Sequence, residues 1–315
     1  MNQINNLIIL TPIYEDVLAF THLAKEIQTE LKEKIYLIAI DDGSMTSGPS
    51  TLEYEQHQIS GEIIRLRRNV GHQRAIALGL HYIADKFPHA TVVVMDSDGE
   101  DRPKTIINLL TGLEANSMGV VVAQRKTRIA SISFKFFYQA YKVVFYILTG
   151  KKISFGNFMV LTPFAVQRLV SMPELWIHVA GAVLISKLPI TLEPIPRGSR
   201  YIGKSKMNFV SLALHGLRAL IVFSDEILVR IGILCAALSF CSLVAMPVPL
   251  FLKSIGMASP GWASILFGVF LLIFIQAVTL GLITLLLSGL TKGNSMNYFD
   301  YKSLILEIKK ISSIN

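Results

Sequence analysis

The chain has 315 residues, 52% of them hydrophobic, with a formal net charge of +8 and a mean hydropathy of +0.51. It is too apolar for a plain soluble enzyme and long enough for one large domain or two ordinary ones. Its basic balance suits anionic lipid or phosphorylated substrates, the hydropathy favours lipid over nucleic acid, and two cysteines in one apolar segment, Cys235 and Cys241, exclude a disulfide framework or a zinc site.

The opening stretch, MNQINNLIILTPIY, has no basic n-region and an apolar core of only four residues. It does not read as a signal peptide, so the first domain is expected on the cytoplasmic side. Residues 6–10 (NLIIL), 34–41 (KIYLIAID), 62–66 (EIIRL), 91–96 (TVVVMD) and 119–124 (GVVVAQ) are short β-rich runs. Helical patterns, such as 17–32 and 73–86, lie between them. This alternation predicts an α/β fold with a mostly parallel sheet and helices on both faces. Ligands of such sheets sit at the carboxyl ends of strands. Here TPIYED, DDGS, RRNVGHQRA and DSDGED follow the first four strands in turn.

The fourth of these crowds Asp96, Asp98, Glu100 and Asp101 at the mouth of an apolar strand, with Gly99 able to turn the chain. Converging carboxylates suit a hard cation, Mg2+ or Mn2+, completed by substrate phosphates. An EF-hand fails, because its sixth position would be Asp101 instead of Gly and its twelfth Ile107 instead of Glu. Asp101 also stands where an acid favours the start of the helix expected near Pro103.

Two later stretches read as amphipathic basic helices that can lie in the lipid headgroup layer. The first carries Phe134, Phe137, Tyr138, Tyr141, Phe145 and Leu148 at helical spacing, with Lys135, Lys142, Lys151 and Lys152 nearby. The second, 207–224, carries a stripe of Val210, Leu214, Leu217 and Ile221, with His215 and Arg218 off it. Between them, GSRYIGKS (198–205) matches a P-loop literally, but no apolar strand runs into its first Gly and bulky Arg200, Tyr201 and Ile202 fill it. Arg197, Arg200, Lys204 and Lys206 read instead as the place where a lipid-borne phosphate arrives. No charge falls between Arg230 and Lys253, or between Lys253 and Lys292, so two segments can span a bilayer, with Pro247 and Pro249 ending or kinking the first. Arg218, Arg230, Lys292, Lys302, Lys309 and Lys310 flank this hairpin on one side against Lys253 on the other, which predicts both termini in the cytoplasm. The expected division is a catalytic domain over 1–205, a juxtamembrane helix over 206–228, two spans over 229–290 and a cytoplasmic tail over 291–315.

TPIYED, DDGS, RNVGHQRAIALGL, MDSDGEDRP and RYIGKSK, in this order and followed by two spans, resemble family 2 glycosyltransferases of the GT-A fold. Within them the chain is most similar to polyprenyl-phosphate glycosyltransferases of the dolichyl-phosphate mannose synthase type, over essentially its whole length. The resemblance implies inverting, metal-dependent transfer of a sugar from a UDP- or GDP-sugar to a polyprenyl (undecaprenyl) phosphate at the inner face of the cytoplasmic membrane, in cell-envelope glycan assembly. Its implied partners are Mg2+ or Mn2+, the bilayer and further copies of the chain, with no nucleic acid. Pro12, Tyr14, Glu15, Asp16, Asp41, Asp42, Arg68 and Asp96 would line the donor-nucleotide pocket. Asp98 and Glu100 would hold the ion, and Arg125, Arg128, Arg200, Ser205 and Lys206 the acceptor phosphate. Asp96, Asp98, Asp101, Arg200 and Lys206 make up the implied catalytic set.

The chain departs from the family at Glu15-Asp16 (Asn-Glu in the family), at Glu100 (Gln or a His-like residue), and at GNFM (156–159), which lacks the carboxylate and arginine of G-D-F-R. These departures leave the donor sugar open. Transfer to a lipid without phosphate, such as diacylglycerol, would need a general base, for which Asp101 or His178 can be argued. A processive polysaccharide synthase would carry Q-x-x-R-W and more spans; a membrane-anchored nucleotidase or a non-catalytic scaffold are more distant alternatives. His72, His178 and His215 read as structural or solvated.

Overall fold

The computed structural model describes residues 7–31, 35–46, 48–114, 118–125, 132–152, 155–202, 209–257, 259, 261–294 and 300–311. In chain order the elements begin β1 (Leu7–Ile13), α1 (Val17–Glu30), β2 (Tyr36–Asp41), α2 (Leu52–Gln56), β3 (Ser60–Leu66), α3 (His72–Lys86), β4 (Thr91–Val94), α4 (Ile106–Glu114) and β5 (Val120–Arg125). They continue with α5 (Ile132–Thr149), β6 (Met159–Leu161), α6 (Pro163–Val170), α7 (Val179–Ile185), β7 (Ile190–Ile195), α8 (Phe209–Val222), α9 (Ser224–Ala245), α10 (Pro247–Ser254), α11 (Trp262–Asn294) and β8 (Ile305–Ile311).

The strands form one sheet in the order β7-β5-β6-β4-β1-β2-β3-β8. β4, β1, β2 and β3 run parallel, β6 is antiparallel between β4 and β5, and β8 is antiparallel to β3 at the edge. The apolar runs are continuous because both faces are covered. Ile8 and Leu10 of β1 enter the core packed by α3, α6 and α7, whereas Leu7 and Ile9 enter the opposite core with α1 and α4. The five strands and two helices expected from the sequence are all present, with ends shifted by a few residues.

Three strands escaped the sequence reading. β6 is only three residues long, β7 contains Pro194, and β8 (ILEIKKI) has the charges of a solvated tail. Residues 300–311, assigned from sequence to a tail, return to the sheet: Arg67 N–H donates to Leu304 O at 2.9 Å, and the β8 register runs from Leu66↔Ile305 to Gly61↔Ile311. Glu307, Lys309 and Lys310 then discourage further pairing at this edge.

The chain divides into two compact units. The first is Met1–Val143, Lys151–Val222 and Tyr298–Asn315, and holds the sheet; the second is Val144–Gly150 and Phe223–Asn297. Within the second unit α9 and α11 pack antiparallel, with Gly232 beside Thr284 and Gly281 beside Cys235. Ser224–Ser254 and Trp262–Leu287 are long and apolar enough to cross a membrane. The first breaks between Ala245 and Pro247, where proline removes a helical hydrogen bond. In the first unit, α8 leaves Leu214, Leu217 and Ile221 exposed on one stripe and turns Ala219 and Val222 inward.

Candidate active site

β4 delivers the acid run to the carboxyl edge of the sheet. Residues 96–101 then fold back on themselves. Asp96 N–H donates to Asp101 Oδ2, and Glu100 N–H to Asp98 Oδ1, each at 3.0 Å. Gly99 makes the reversal at φ +90°, and a Cβ there would stand 2.8 Å from the Tyr201 ring, so both conformation and packing require glycine. Asp101 is buried and holds this turn together. Burial raises the Asp98 pKa above the ordinary carboxylate range and Asp96 adds to the shift, while the Glu100 N–H and Arg200 oppose it.

The positive charge the turn requires comes from residues 197–202. Arg200 Nη2 lies 2.8 Å from Asp98 Oδ2, and its Nε 3.2 Å from Glu100 Oε1. Arg197 donates to the other Glu100 oxygen. The backbones join as well: Gly198 N–H donates to Glu100 O and Tyr201 N–H to Asp98 O, both at 2.9 Å. Tyr201 and Arg102 meet at Glu26, and Arg102 also reaches Ser199 Oγ at 3.2 Å. Two backbone donors of the P-loop-like stretch, those of Gly198 and Tyr201, therefore face the acid turn. Lys204, Ser205, Lys206 and Arg128 lie outside the described residues, as does the Arg125 side chain; the Arg125 backbone closes β5 opposite Ile195.

At the ends of β1 and β2 the remaining strand-end acids tie neighbouring loops. Glu15, at φ +48°, accepts from Met45 N–H at 2.6 Å and from Thr46 Oγ1 at 2.6 Å. Buried Asp41 accepts from Ser44 N–H at 2.9 Å and pairs with Arg65 at 3.1 Å. Asp42 accepts from Val70 and Gly71 N–H at 2.7 and 3.0 Å, which fastens the loop before α3; burial pushes its pKa up to about 6 against those two bonds. Pro12 is buried and its carbonyl accepts from Ser97 Oγ, Tyr14 and Arg68 are exposed, and Asp16 caps α1 in position though without a side-chain bond.

The histidines are where the sequence reading falls short. His72, at the start of α3, places Nε2 3.2 Å from Asp96 Oδ1 and 3.1 Å from the Asn157 amide. Burial works to lower its pKa, but Asp96, Asp98 and Asp42 outweigh that and raise it. Asn157 stands where the G-D-F-R motif has its carboxylate, so the departure noted above lies beside His72, which in turn faces Asp96. Next to His72, Gln73 Oε1 accepts from Val179 N–H at 2.8 Å and so seats the start of α7. There His178 caps the helix: its Nδ1 accepts from Gly181 N–H at 3.0 Å, and its Nε2 lies 3.2 Å from Nε2 of His215 on α8. Acceptance at Nδ1 assigns the His178 proton to Nε2, so the His215 Nε2 is the acceptor. The signal available in the sequence was the position of His72 and Gln73 at a strand-end loop.

This pair makes the fold acid-sensitive. Burial, followed by His215 and then Arg218, lowers the His178 pKa to about 3; burial, His72 and Arg218 lower that of His215, with Asp96 opposing. An unfolded histidine takes its proton near pH 6.5, and folded His178 does not until about 3, so stability is full above the first value and is lost progressively below it. The His178 contribution, read as the difference in unfolding free energy between wild type and His178→Phe in detergent, is expected to fall by about 2 kcal/mol between pH 7.5 and 5, while Asp42, raised to about 6, acts in the opposite direction in both proteins. A difference that stays the same at both pH values would remove His178 as a cause of the acid sensitivity.

Asp96 and Asp98 offer hard oxygen donors in one turn, which fits a divalent ion completed by phosphate oxygens. Glu100 fits poorly, since arginines engage both its oxygens. Among the described residues no group of three His, Cys, Asp or Glu side chains forms a self-contained metal centre.

Compared with known proteins, residues 10–175 match the family described as Glycosyl transferase family 2. An uncharacterized glycosyltransferase of Synechocystis sp. is 26% identical over 291 residues, covering 87% of each chain. The uncharacterized glycosyltransferase YkcC of Bacillus subtilis is 25% identical over 289 residues, covering 89% of this chain and 85% of its own. A solved structure titled as a mycobacterial protein aligns with a TM-score of 0.51 and 13% identity over 70% of this chain and 74% of its own, a likeness of fold.

Proposed function

The chain belongs to glycosyl transferase family 2, and from that premise we propose that it moves one sugar from a nucleotide diphosphate sugar to a polyprenyl phosphate at the cytoplasmic face of a membrane. One observation carries the reading. A basic loop lies directly on the acid turn, with Arg200 Nη2 2.8 Å from Asp98 Oδ2. Transfer between two phosphorylated reactants needs acids for a cation and bases for phosphate within one site.

The chemistry follows from charge. A phosphate monoester has its second pKa near 6 and is already a nucleophile at pH 7, so the site needs no strong general base. Its difficulty is repulsion between the two reactants, which Arg200 and, by sequence position, Lys206 would relieve. A Mg2+ or Mn2+ ion at Asp98, with Asp96 beside it, would neutralise charge growing on the departing nucleoside diphosphate. The anomeric carbon develops oxocarbenium character, and in-line attack inverts its configuration. Strand-end residues Pro12, Tyr14, Asp16, Asp41 and Asp42 would line the nucleotide pocket.

Lipid as acceptor is supported by two apolar helices and by the exposed Leu214, Leu217 and Ile221 stripe of α8. The chain leaves the sheet-bearing unit before α9 and re-enters it after α11, as a hairpin with both ends on one membrane face requires.

The test is transfer in detergent to undecaprenyl phosphate from a panel of UDP- and GDP-sugars with Mg2+ or Mn2+. Lipid-linked sugar from one donor, lost on adding chelator, is the expected result. Glycosylation of diacylglycerol instead would overturn the phosphate-acceptor reading and reopen the search for a base.

A further inference from the structure

We propose that Glu100 is a positioning residue that holds Arg197 and Arg200 over the acid turn, and not a ligand of the divalent ion. Its two oxygens carry different arginines, Arg200 on Oε1 at 3.2 Å and Arg197 on Oε2. Both arginine side chains are about three-quarters shielded from solvent, at 24% and 27% exposed. Drawing Glu100 onto an ion would leave two shielded cations short of a partner, which is costly. Backbone bonds from Gly198 to Glu100 O and from Tyr201 to Asp98 O fix the loop in the same register, so the arrangement does not depend on side chains alone.

The chemistry also explains why a carboxylate stands at this position. A glutamine has one acceptor oxygen and no charge, and would present N–H donors to the second arginine, so it cannot give each arginine its own charged oxygen. The division of Arg200 has a consequence. Its Nη2 edge rests on Asp98 and its Nε on Glu100. A cation arriving at Asp98 would repel the Nη2 edge, while Nε keeps its anchor. The guanidinium would then turn a free edge toward phosphate without leaving the site. Glu100 is thus the pivot that makes Arg200 available at the moment the ion binds. Only the identity of that phosphate rests on the transfer reading above.

The test uses the full chain in detergent, wild type and Glu100→Gln, with two readouts that need no turnover. Mn2+ affinity, followed by EPR in the presence of UDP or GDP, is expected to be unchanged in the variant. Trypsin cleavage after Arg197 and Arg200, followed by mass spectrometry, is expected to accelerate about tenfold, matching loss of charge-assisted bonds. In the transfer assay, KM for undecaprenyl phosphate should rise about tenfold with a smaller change in kcat. Arg197→Gln serves as the second variant should the first fold poorly, with faster cleavage after Arg200 expected. Mn2+ affinity reduced tenfold or more in Glu100→Gln would overturn the proposal, and so would an unchanged trypsin pattern. A wild type that transfers nothing to undecaprenyl phosphate would defeat the transfer reading, while the Mn2+ and trypsin results would still decide the role of Glu100.

Discussion

Asp98→Asn is expected to lower kcat/KM by about three orders of magnitude while leaving the protein as stable as before or slightly more so. The activity loss corresponds to about 4 kcal/mol of transition-state stabilisation, the scale on which a metal offsets developing charge. Asparagine keeps an oxygen to accept the Glu100 N–H but offers an ion no negative charge. The stability side follows from the direction of the Asp98 pKa. Burial and the neighbouring Asp96 hold it above the ordinary value. Keeping the carboxyl ionised at pH 7 therefore works against the fold, and a neutral amide removes that opposition, although it also weakens the Arg200 contact. Activity and thermal stability moving in opposite directions is a mark of a functional acid, because a structural ion pair would lose both. The check pairs steady-state transfer with thermal unfolding in detergent. A variant that unfolds several degrees lower in proportion to its lost activity would show that Asp98 serves the fold and not the reaction.

A chain ending at residue 299 is expected to insert its apolar helices but lose about 4 kcal/mol from the sheet-bearing unit, lowering its unfolding temperature by about 10 °C. β8 caps β3, whose Ile63, Ile64 and Leu66 are buried. Without it, β3 becomes an apolar edge open to aggregation. Specific polar contacts go too. Tyr301 donates to Asp85 Oδ2 at 2.6 Å, and Lys302 lies 3.2 Å from the same oxygen. Lys310 lies 3.6 Å from buried Glu62, which also accepts from Tyr36 at 3.0 Å and Tyr82 at 2.5 Å. Removing the lysine leaves that carboxylate with tyrosine hydroxyls alone. Lys310→Met should reproduce a minor part of the loss, on the order of 1 kcal/mol, because the ammonium is largely exposed. An unfolding temperature unchanged by the truncation would show that β8 adds nothing to the sheet.

The sequence alone determined what depends on local pattern. Alternating apolar runs and helical spacing specify the parallel strands β1 to β5 and the helices α1 and α3, because period and propensity act over a few residues. Two long uncharged segments specify a membrane-competent helical pair by length and composition. Polar clusters after successive strands mark the carboxyl edge of the sheet as the reactive one. Three-dimensional pairing was not legible, because it joins residues far apart in the chain. Glu100 lies 100 residues from Arg200 and reads as a metal ligand until both of its oxygens are seen to carry arginines. His72, His178 and His215 read as structural or solvated; the fold sets His72 against Asp96 and Asn157, and α7 and α8 bring His178 and His215 together. β8 has the composition of a tail, and only the unpaired edge of β3, formed by the rest of the sheet, makes it a strand. Local pattern selects elements because its energies are local; which charges neutralise one another is decided by where the completed sheet places them.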